Sequence, residues 1–387
     1  MSVTFFFGLV VTTYALINGY MFTRLFLILR GTGLLRGLAC GVFLLFAVSF
    51  PASRIAGNLL PPAAANFLFI LGSLYLAPMI HGFLLTVAAD ILRILNYHVT
   101  LTSNLPNYTE SGRENAVAII VLLSLALSFA GAVNAVFPTA REFSIRLGGE
   151  PHGAPVKIAL VSDIHLGRMN ARSRLERITN LIKSRNPDIV LIAGDTIDDA
   201  AWTRLPARRN EIVSILSSLN PRLGVWAVPG NHDYYSGIEN SNAFLRNCGI
   251  RVMMDEWAAP GGEFLLIGRD DMTVIRTGKE RASLNAIISE ARSALGGESA
   301  RLPVIVLDHQ PLNLEEAQRA GAALQLSGHT HKGQLFPANL LVAAIFEKSY
   351  GLYKKGETYY YITSGAGTWG PPVRTTGRPE VVFINLE

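Results

Sequence analysis

The sequence predicts two architectures in one chain: an N-terminal α-helical transmembrane region of four helices, followed by an α/β domain. Three observations carry this. Half of the 387 residues are hydrophobic and only 16% are charged, and the deficit of charge is concentrated before residue 141. Beyond a Gly/Pro-rich break, short apolar runs alternate with amphipathic stretches, the rhythm of strands and covering helices. Several of those apolar runs end in Asp, Asn or His beside Gly, residue types that suit divalent cations.

The helical region comes first. Ser2 to Thr23, Gly37 to Ser53, Ile55 to Ala89 and Ala116 to Ala140 contain no charged side chain. About 20 apolar residues cross a bilayer, so the first, third and fourth are long enough and the second is short but workable. The helices are expected over Phe5 to Phe22, Leu35 to Phe50, Ala63 to Ala89 and Ala116 to Phe137. These lengths favour membrane spans over buried helices of a soluble domain. A cleaved signal peptide is disfavoured, because no basic leader precedes the first run and no small-residue cleavage site follows it. His81 and Asn134 sit within apolar stretches, where a helix-to-helix hydrogen bond or an interfacial position explains a polar group.

Arg24, Arg30 and Arg36 follow the first helix, and Arg93 and Arg113 lie between the third and fourth. The opposite side has Arg54, Arg141 and Arg146. The small excess on the first side predicts both termini outside the cytoplasm, with the distal domain on the periplasmic or extracellular side. The organisation expected is a transmembrane domain over 1–140, a linker over 141–155 and the α/β domain over 156–387. Pro138 and the run Gly148-Gly-Glu-Pro-His-Gly-Ala-Pro155 mark the break.

The net charge of +5 is mild and scattered. It gives weak support for anionic lipid headgroups or substrates, and no basic run interleaved with aromatics points to nucleic acid. Cys40 and Cys248 lie in different regions, so a disulfide framework is not expected.

In the distal part, Lys157 to Ser162, Asp188 to Ala193, Gly224 to Val228, Leu302 to Asp308 and Leu324 to Gly328 are expected as strands. Arg172 to Arg185, Asn210 to Leu219 and Ile238 to Cys248 supply the amphipathic stretches between. Catalytic groups gather beyond strand carboxyl ends in such folds. Asp163 and His165 follow the first strand, and in an extended chain residues two apart share a side. Gly194 allows a sharp turn before Asp195, whose two oxygens could bridge a pair of cations about 3.5–4 Å apart. Asn231 offers a neutral oxygen ligand and His232 a group for proton transfer. His309 ends another strand, and His329 and His331 would reach together from the last. Each motif alone is more often an ordinary turn or core segment, but five of the eight histidines fall in these motifs, which argues against chance.

The runs SDIHLG, IAGDTID, VPGNHDYY, LDHQP, SGHTHKGQLFP, YGLYKKG and TSGAGTWGPPVR resemble those of the calcineurin-like metallophosphoesterase superfamily, and most of all its YkuE/YaeI-type membrane-associated bacterial group. The resemblance covers about Lys157 to Glu387. It implies a four-layer αββα sandwich and a dinuclear centre: Asp163, His165 and His331 on one ion, Asn231, His309 and His329 on the other, Asp195 bridging. It also implies that His232 donates a proton or stabilises the transition state, and that Asp198 orients it. Asp199 replaces the Arg of protein Ser/Thr phosphatases, which argues against their phosphoprotein recognition. Lys332 replaces a usual glycine, and is either a contact to substrate phosphate or a solvated loop residue.

The expected chemistry is in-line attack on phosphorus by a metal-bridging hydroxide, with two divalent ions drawn from Mn, Fe or Zn. A membrane tether favours a lipid-linked phosphomonoester, phosphodiester or pyrophosphate as substrate, with the lipid bilayer as partner. Hydrolysis of soluble nucleotide or sugar phosphates is the alternative within the enzyme class. A catalytically silent metal-binding membrane receptor or scaffold is the alternative outside it, and the full ligand set argues against that. A transporter with a regulatory phosphoesterase is weaker still, because the spans show no broken-helix pair.

Overall fold

The computed structural model describes residues 3–28, 33–56, 59–99, 110–147, 155–169, 171–198 and 206–387. The chain divides into two compact units, Met1–Ala132 with Gly370–Val373, and Val133–Trp369 with Arg374–Glu387.

The first unit is built on α1 (Val3–Ile28), α2 (Gly33–Ile55), α3 (Pro62–Val99) and α4 (Glu110–Val136), whose last turn belongs to the second unit. Among the described residues three stretches are long and apolar enough to cross a membrane, Arg36–Ile55, Pro62–His98 and Asn115–Val136. Three of the four expected spans, Leu35 to Phe50, Ala63 to Ala89 and Ala116 to Phe137, fall on these stretches, and the other, Phe5 to Phe22, falls on α1. Thr12, Thr13, Tyr14, Asn18 and Tyr20 punctuate α1.

Those polar groups are used between helices. Tyr14 Oη donates to the Ala47 carbonyl at 2.6 Å, and Tyr75 Oη donates to Asn18 Oδ1 at 2.6 Å, tying α1 to α2 and α3. A Cβ on Gly72 would lie 2.4 Å from the Phe50 backbone, so glycine lets α3 pass close to α2. His81 Nδ1 lies 2.9 Å from Ser128 Oγ, a helix-to-helix contact between α3 and α4. Asn134 does something else: within the second unit its Nδ2 donates to the carbonyls of Arg374 and Gly377, at 2.9 and 3.0 Å.

The second unit runs β1 (Thr139–Ile145), β2 (Val156–Val161), α5 (Ala171–Ser184), β3 (Ile189–Ala193), α6 (Pro206–Ser217), β4 (Val225–Val228), α7 (Asn231–Tyr235), α8 (Ile238–Asn247) and β5 (Arg251–Val252). It continues with β6 (Glu256–Ala258), β7 (Leu265–Gly268), α9 (Leu284–Leu295), β8 (Val304–Leu307), α10 (Leu314–Arg319), β9 (Leu324–Ser327), α11 (Ala338–Ile345), β10 (Gly351–Lys355), β11 (Thr358–Ile362) and β12 (Glu380–Leu386). Two six-stranded sheets result, ordered β1-β12-β2-β3-β4-β5 and β10-β11-β9-β8-β7-β6. β2 to β5 are parallel, as are β7, β8, β9 and β11.

Parallel strands covered on both faces read as unbroken apolar runs, which is why β2, β3, β4, β8 and β9 are buried along almost their whole length. Ile158, Leu160, Leu191, Leu266, Ile305, Leu326 and Ile384 form the core between the sheets. α5, α6 and α8 cover the other face of the first sheet through Leu175, Ile212 and Phe244, and α9 and α10 cover the second through Ile287 and Leu314. The layers are therefore helix, sheet, sheet, helix.

The expected linker, 141–155, requires correction. Its first residues lie in β1, which pairs in parallel with β12 from Thr139 opposite Glu380 to Ile145 opposite Leu386. β1 is an edge strand carrying Arg141 and Glu142 towards solvent, so no apolar run announces it. Residues 148–154 lie outside the described residues.

Candidate metal centre

Five strand ends supply the site. Asp163 and His165 follow β2, Asp195 and Asp198 follow β3, Asn231 and His232 follow β4, His309 follows β8, and His329 and His331 follow β9. The first two loops are stitched together, since the Asp163 amide donates to the Gly194 carbonyl at 3.0 Å and the His165 amide to the Asp195 carbonyl at 3.1 Å.

The side chains do not converge by strand alternation, as extended geometry predicts. Asp163, His165, Asp195, His329 and His331 have φ of 55°, 49°, 51°, 71° and 49°. Left-handed backbone at alternate residues coils each loop so that its side chains turn inward, at a cost of about 1–3 kcal/mol per strained position. Glycine makes room for them. Gly194 has φ +81°, and a Cβ there would lie 2.5 Å from His309 Nδ1; a Cβ on Gly230 would lie 2.2 Å from Asp195 Oδ1.

Two donor groups share this space. Asp163, His165 and His331 present ligand atoms all within 4.8 Å of one another, and so do Asp195, His309 and His329. Asn231 Oδ1 joins the second at 2.9 Å from His329 Nδ1 and 3.2 Å from His309 Nε2. Asp195 lies between the groups: its Oδ2 is 3.2 Å from His309 Nε2 and 3.7 Å from His165 Nε2, while its Oδ1 accepts from the His232 amide at 2.8 Å. In the first group His331 Nε2 is 3.0 Å from His165 Nε2 and 3.3 Å from Asp163 Oδ1.

His165, Asp198 and His232 also approach one another. His232 Nδ1 and Asp198 Oδ1 are hydrogen bonded at 2.7 Å, so they are a dyad satisfied from within. His309 is oriented from behind: its Nδ1 donates to the Ala193 carbonyl at 2.8 Å, which leaves Nε2 as a lone pair aimed into the cluster.

The donor set fits divalent cations. Buried carboxylates and imidazole lone pairs face one another across the cluster, and buried His165 Nδ1 has no hydrogen-bond partner. Such crowding of acceptors is costly unless positive charge lies among them. Oxygen and nitrogen ligands without thiolate suit hard or borderline ions; Cys248 is packed in the core beneath the first sheet.

The electrostatics agree. Burial pushes Asp163 up, and the neighbouring Asp195 adds to it. Burial acts on Asp195 the same way, but His309, His165 and His232 outweigh it and hold this carboxylate well below the usual range. Asp198 is also held down, because His165 and His232 overcome its burial. For His232 burial favours the neutral ring, yet Asp198 and Asp195 raise it above an ordinary histidine. Burial, then His309, lowers His329 to about 4.

Lys332 lies over the Tyr350 ring, 4.2 Å from its centre, and Asp199 is outside the described residues. Three neighbours were not apparent from sequence. Arg374 is fully buried, donates from Nη2 to the carbonyls of Ser364 and Gly367 at 2.7 Å each, and lies 3.1 Å from His331 Nδ1. Asp233 accepts the amides of Gly230 and Ile197 at 2.9 Å each, binding the loop after β4 to that after β3; burial lifts it to about 6. Trp369 stands 5.9 Å from His232, ring to ring, half exposed at the rim. Arg374 and Trp369 belong to the TWGPPVR run, whose chemistry depends on a tertiary approach to His331 and His232 that spacing cannot reveal.

Residues 156–333 match the calcineurin-like phosphoesterase family. The chain is 33% identical over 289 residues to a transmembrane protein with metallophosphoesterase domain from Danio rerio, covering 72% of this chain and 63% of that protein. It is 32% identical over 253 residues to an uncharacterized metallophosphoesterase of Aquifex aeolicus, covering 65% and 92%. With the metallophosphoesterase YkuE of Bacillus subtilis it shares 28% identity over 255 residues, covering 64% and 84%. The chain thus spans less than two thirds of the fish protein's length.

Proposed function

Since this chain belongs to the calcineurin-like phosphoesterase family, we propose that it is a membrane-anchored phosphoesterase that uses two divalent metal ions to hydrolyse a lipid-linked phosphate ester or pyrophosphate. The observation that carries the reading is Asp195 Oδ2, set between the imidazoles of His165 and His309. Asp163, His165 and His331 would hold one ion and Asn231, His309 and His329 the other, with Asp195 common to both. When bound, such ions polarise phosphoryl oxygens and make water acidic enough to attack near neutral pH.

The chain's own groups supply the rest. Asp198 occupies His232 Nδ1, which leaves Nε2 for a phosphoryl or leaving-group oxygen. Asp198 and Asp195 favour the protonated ring, so His232 can stabilise developing negative charge and give a proton to the departing alkoxide. His232 and His329 stay partly exposed, whereas the side chains of Asp163 and His165 are fully buried, so substrate reaches the cluster past these two histidines.

Three apolar helices favour a substrate held at a bilayer. The arginines after the first helix favour an exterior-facing catalytic unit. The test is turnover by the metal-reconstituted, full-length protein on lipid-linked and soluble phosphomonoesters, phosphodiesters and pyrophosphates. Preference for the lipid-linked member is the expected result. Equal turnover of soluble nucleotide or sugar phosphates would replace the substrate class, and inactivity on every class would favour a silent metal-binding receptor.

A further inference from the structure

We propose that α11 and the residues flanking it form a membrane-contacting surface that lets the phosphoesterase unit draw substrate from the lipid headgroup layer. The inference rests on the phosphoesterase reading and adds a second attachment, separate from the spanning helices.

The run from Gly333 to Phe346 contains no charged residue and is bounded by Lys332 and by Glu347-Lys348. An apolar run of this kind in a globular domain belongs in its core, yet none of the side chains of α11 is buried. Leu340, Leu341 and Ile345 are 59%, 64% and 71% exposed, and Phe336 just before the helix is 50% exposed. Single exposed apolar residues are ordinary, but a contiguous patch marks an interaction surface.

The bilayer fits this patch better than a protein partner. α11 has one polar side chain, Asn339, and exposes Leu340, Leu341, Ala343, Ala344 and Ile345. Eight residues are far too few to span a membrane, so an interfacial position is the one available. Lys332 and Lys348 bracket the patch, set over the rings of Tyr350 and Tyr353 at 4.2 and 5.7 Å. Basic and aromatic groups beside apolar ones are what an anionic headgroup layer takes up.

The patch is joined to the candidate metal centre. Phe346, just after α11, lies 5.8 Å ring to ring from His329. Gln334, ahead of it, donates to the Trp369 carbonyl at 2.7 Å and accepts the Trp369 amide at 2.9 Å, fixing the ring that stands beside His232. A lipid phosphate at this surface would therefore meet the open side of the cluster.

The experiment uses full-length protein in nanodiscs of phosphatidylcholine, with and without phosphatidylglycerol, and a nitroxide label on Leu341→Cys in a Cys40→Ser background. Ser293→Cys on the exposed side of α9 is the aqueous control. Collisions with oxygen should exceed those with a water-soluble nickel chelate at Leu341 and not at Ser293, more strongly with the anionic lipid. Nickel dominance at both positions would overturn the proposal, and so would spin–spin broadening at Leu341, which indicates a second copy on the patch. In the second arm, Leu341→Glu with Ile345→Glu should lower turnover of a bilayer-embedded phosphoester roughly tenfold or more and leave that of a soluble aryl phosphate unchanged. Equal turnover of the embedded ester by variant and wild type would contradict it. Wild-type inactivity on both substrates would end the phosphoesterase reading, while the label depth would still decide the membrane contact.

Discussion

His232 Nδ1 and Asp198 Oδ1 are hydrogen bonded at 2.7 Å, and the same oxygen lies 3.5 Å from His165 Nδ1. One carboxylate therefore holds the His232 ring and faces a ring of the first donor group.

His232→Ala should lower kcat by about 10²–10⁴, the range for a lost general acid, with metal content unchanged. Asp198→Asn keeps the shape but removes the charge, so it should cost less in kcat and lower the pH at which activity is lost on the alkaline side, because the imidazolium loses its support. Steady-state kinetics across pH with metal analysis check both. An unaltered kcat in His232→Ala would remove this residue from the chemistry.

Gly194→Ala tests the packing that aims His309. The added Cβ would lie 2.5 Å from His309 Nδ1, and φ of +81° is strained for alanine. His309 should lose its bond to Ala193, and the protein should bind metal at lower stoichiometry. Isothermal titration with Mn²⁺ or Zn²⁺ reads this directly; wild-type stoichiometry and affinity would show that the loop absorbs the methyl group.

The strand ends of the site were legible because β2, β3, β4, β8 and β9 are continuous apolar runs, and each stops where polar ligands start. Composition also reveals α2, α3 and α4 as apolar helices of spanning length. β1 was hidden, since an edge strand needs no apolar alternation. The left-handed turns at Asp163, His165 and His331 were hidden too, because the surrounding loops impose them against local preference. Arg374 acts on His331 across a sequence separation of 43, a relation that only the pairing of β9, β11 and β12 with their loops creates.

Arg374→Met should destabilise the phosphoesterase unit by about 3 kcal/mol, because buried carbonyls at Ser364 and Gly367 lose a charged donor. In a domain of this size that lowers the unfolding midpoint by roughly 6–12 °C. Thermal unfolding of detergent-solubilised variant and wild type measures it, and matching midpoints would deny Arg374 its anchoring role.

Cys248 should resist thiol reagents in the folded protein. Burial pushes its thiol up to about 12, so almost none is thiolate at pH 8. In a Cys40→Ser background, labelling by an aromatic disulfide should be slow in native conditions and fast in denaturant. Rapid native labelling would contradict the packing beneath the first sheet.

The shared role of Asp195 is tested most directly by metal content and phosphoester turnover measured together on full-length wild type and Asp195→Asn, each stripped with chelator and reconstituted with Mn²⁺, Fe²⁺ or Zn²⁺. Two ions per wild-type chain are expected, with turnover restored by metal, and in the variant one ion or fewer with turnover at or near background. Turnover that survives chelation in the wild type, or two ions with undiminished turnover in Asp195→Asn, would contradict it.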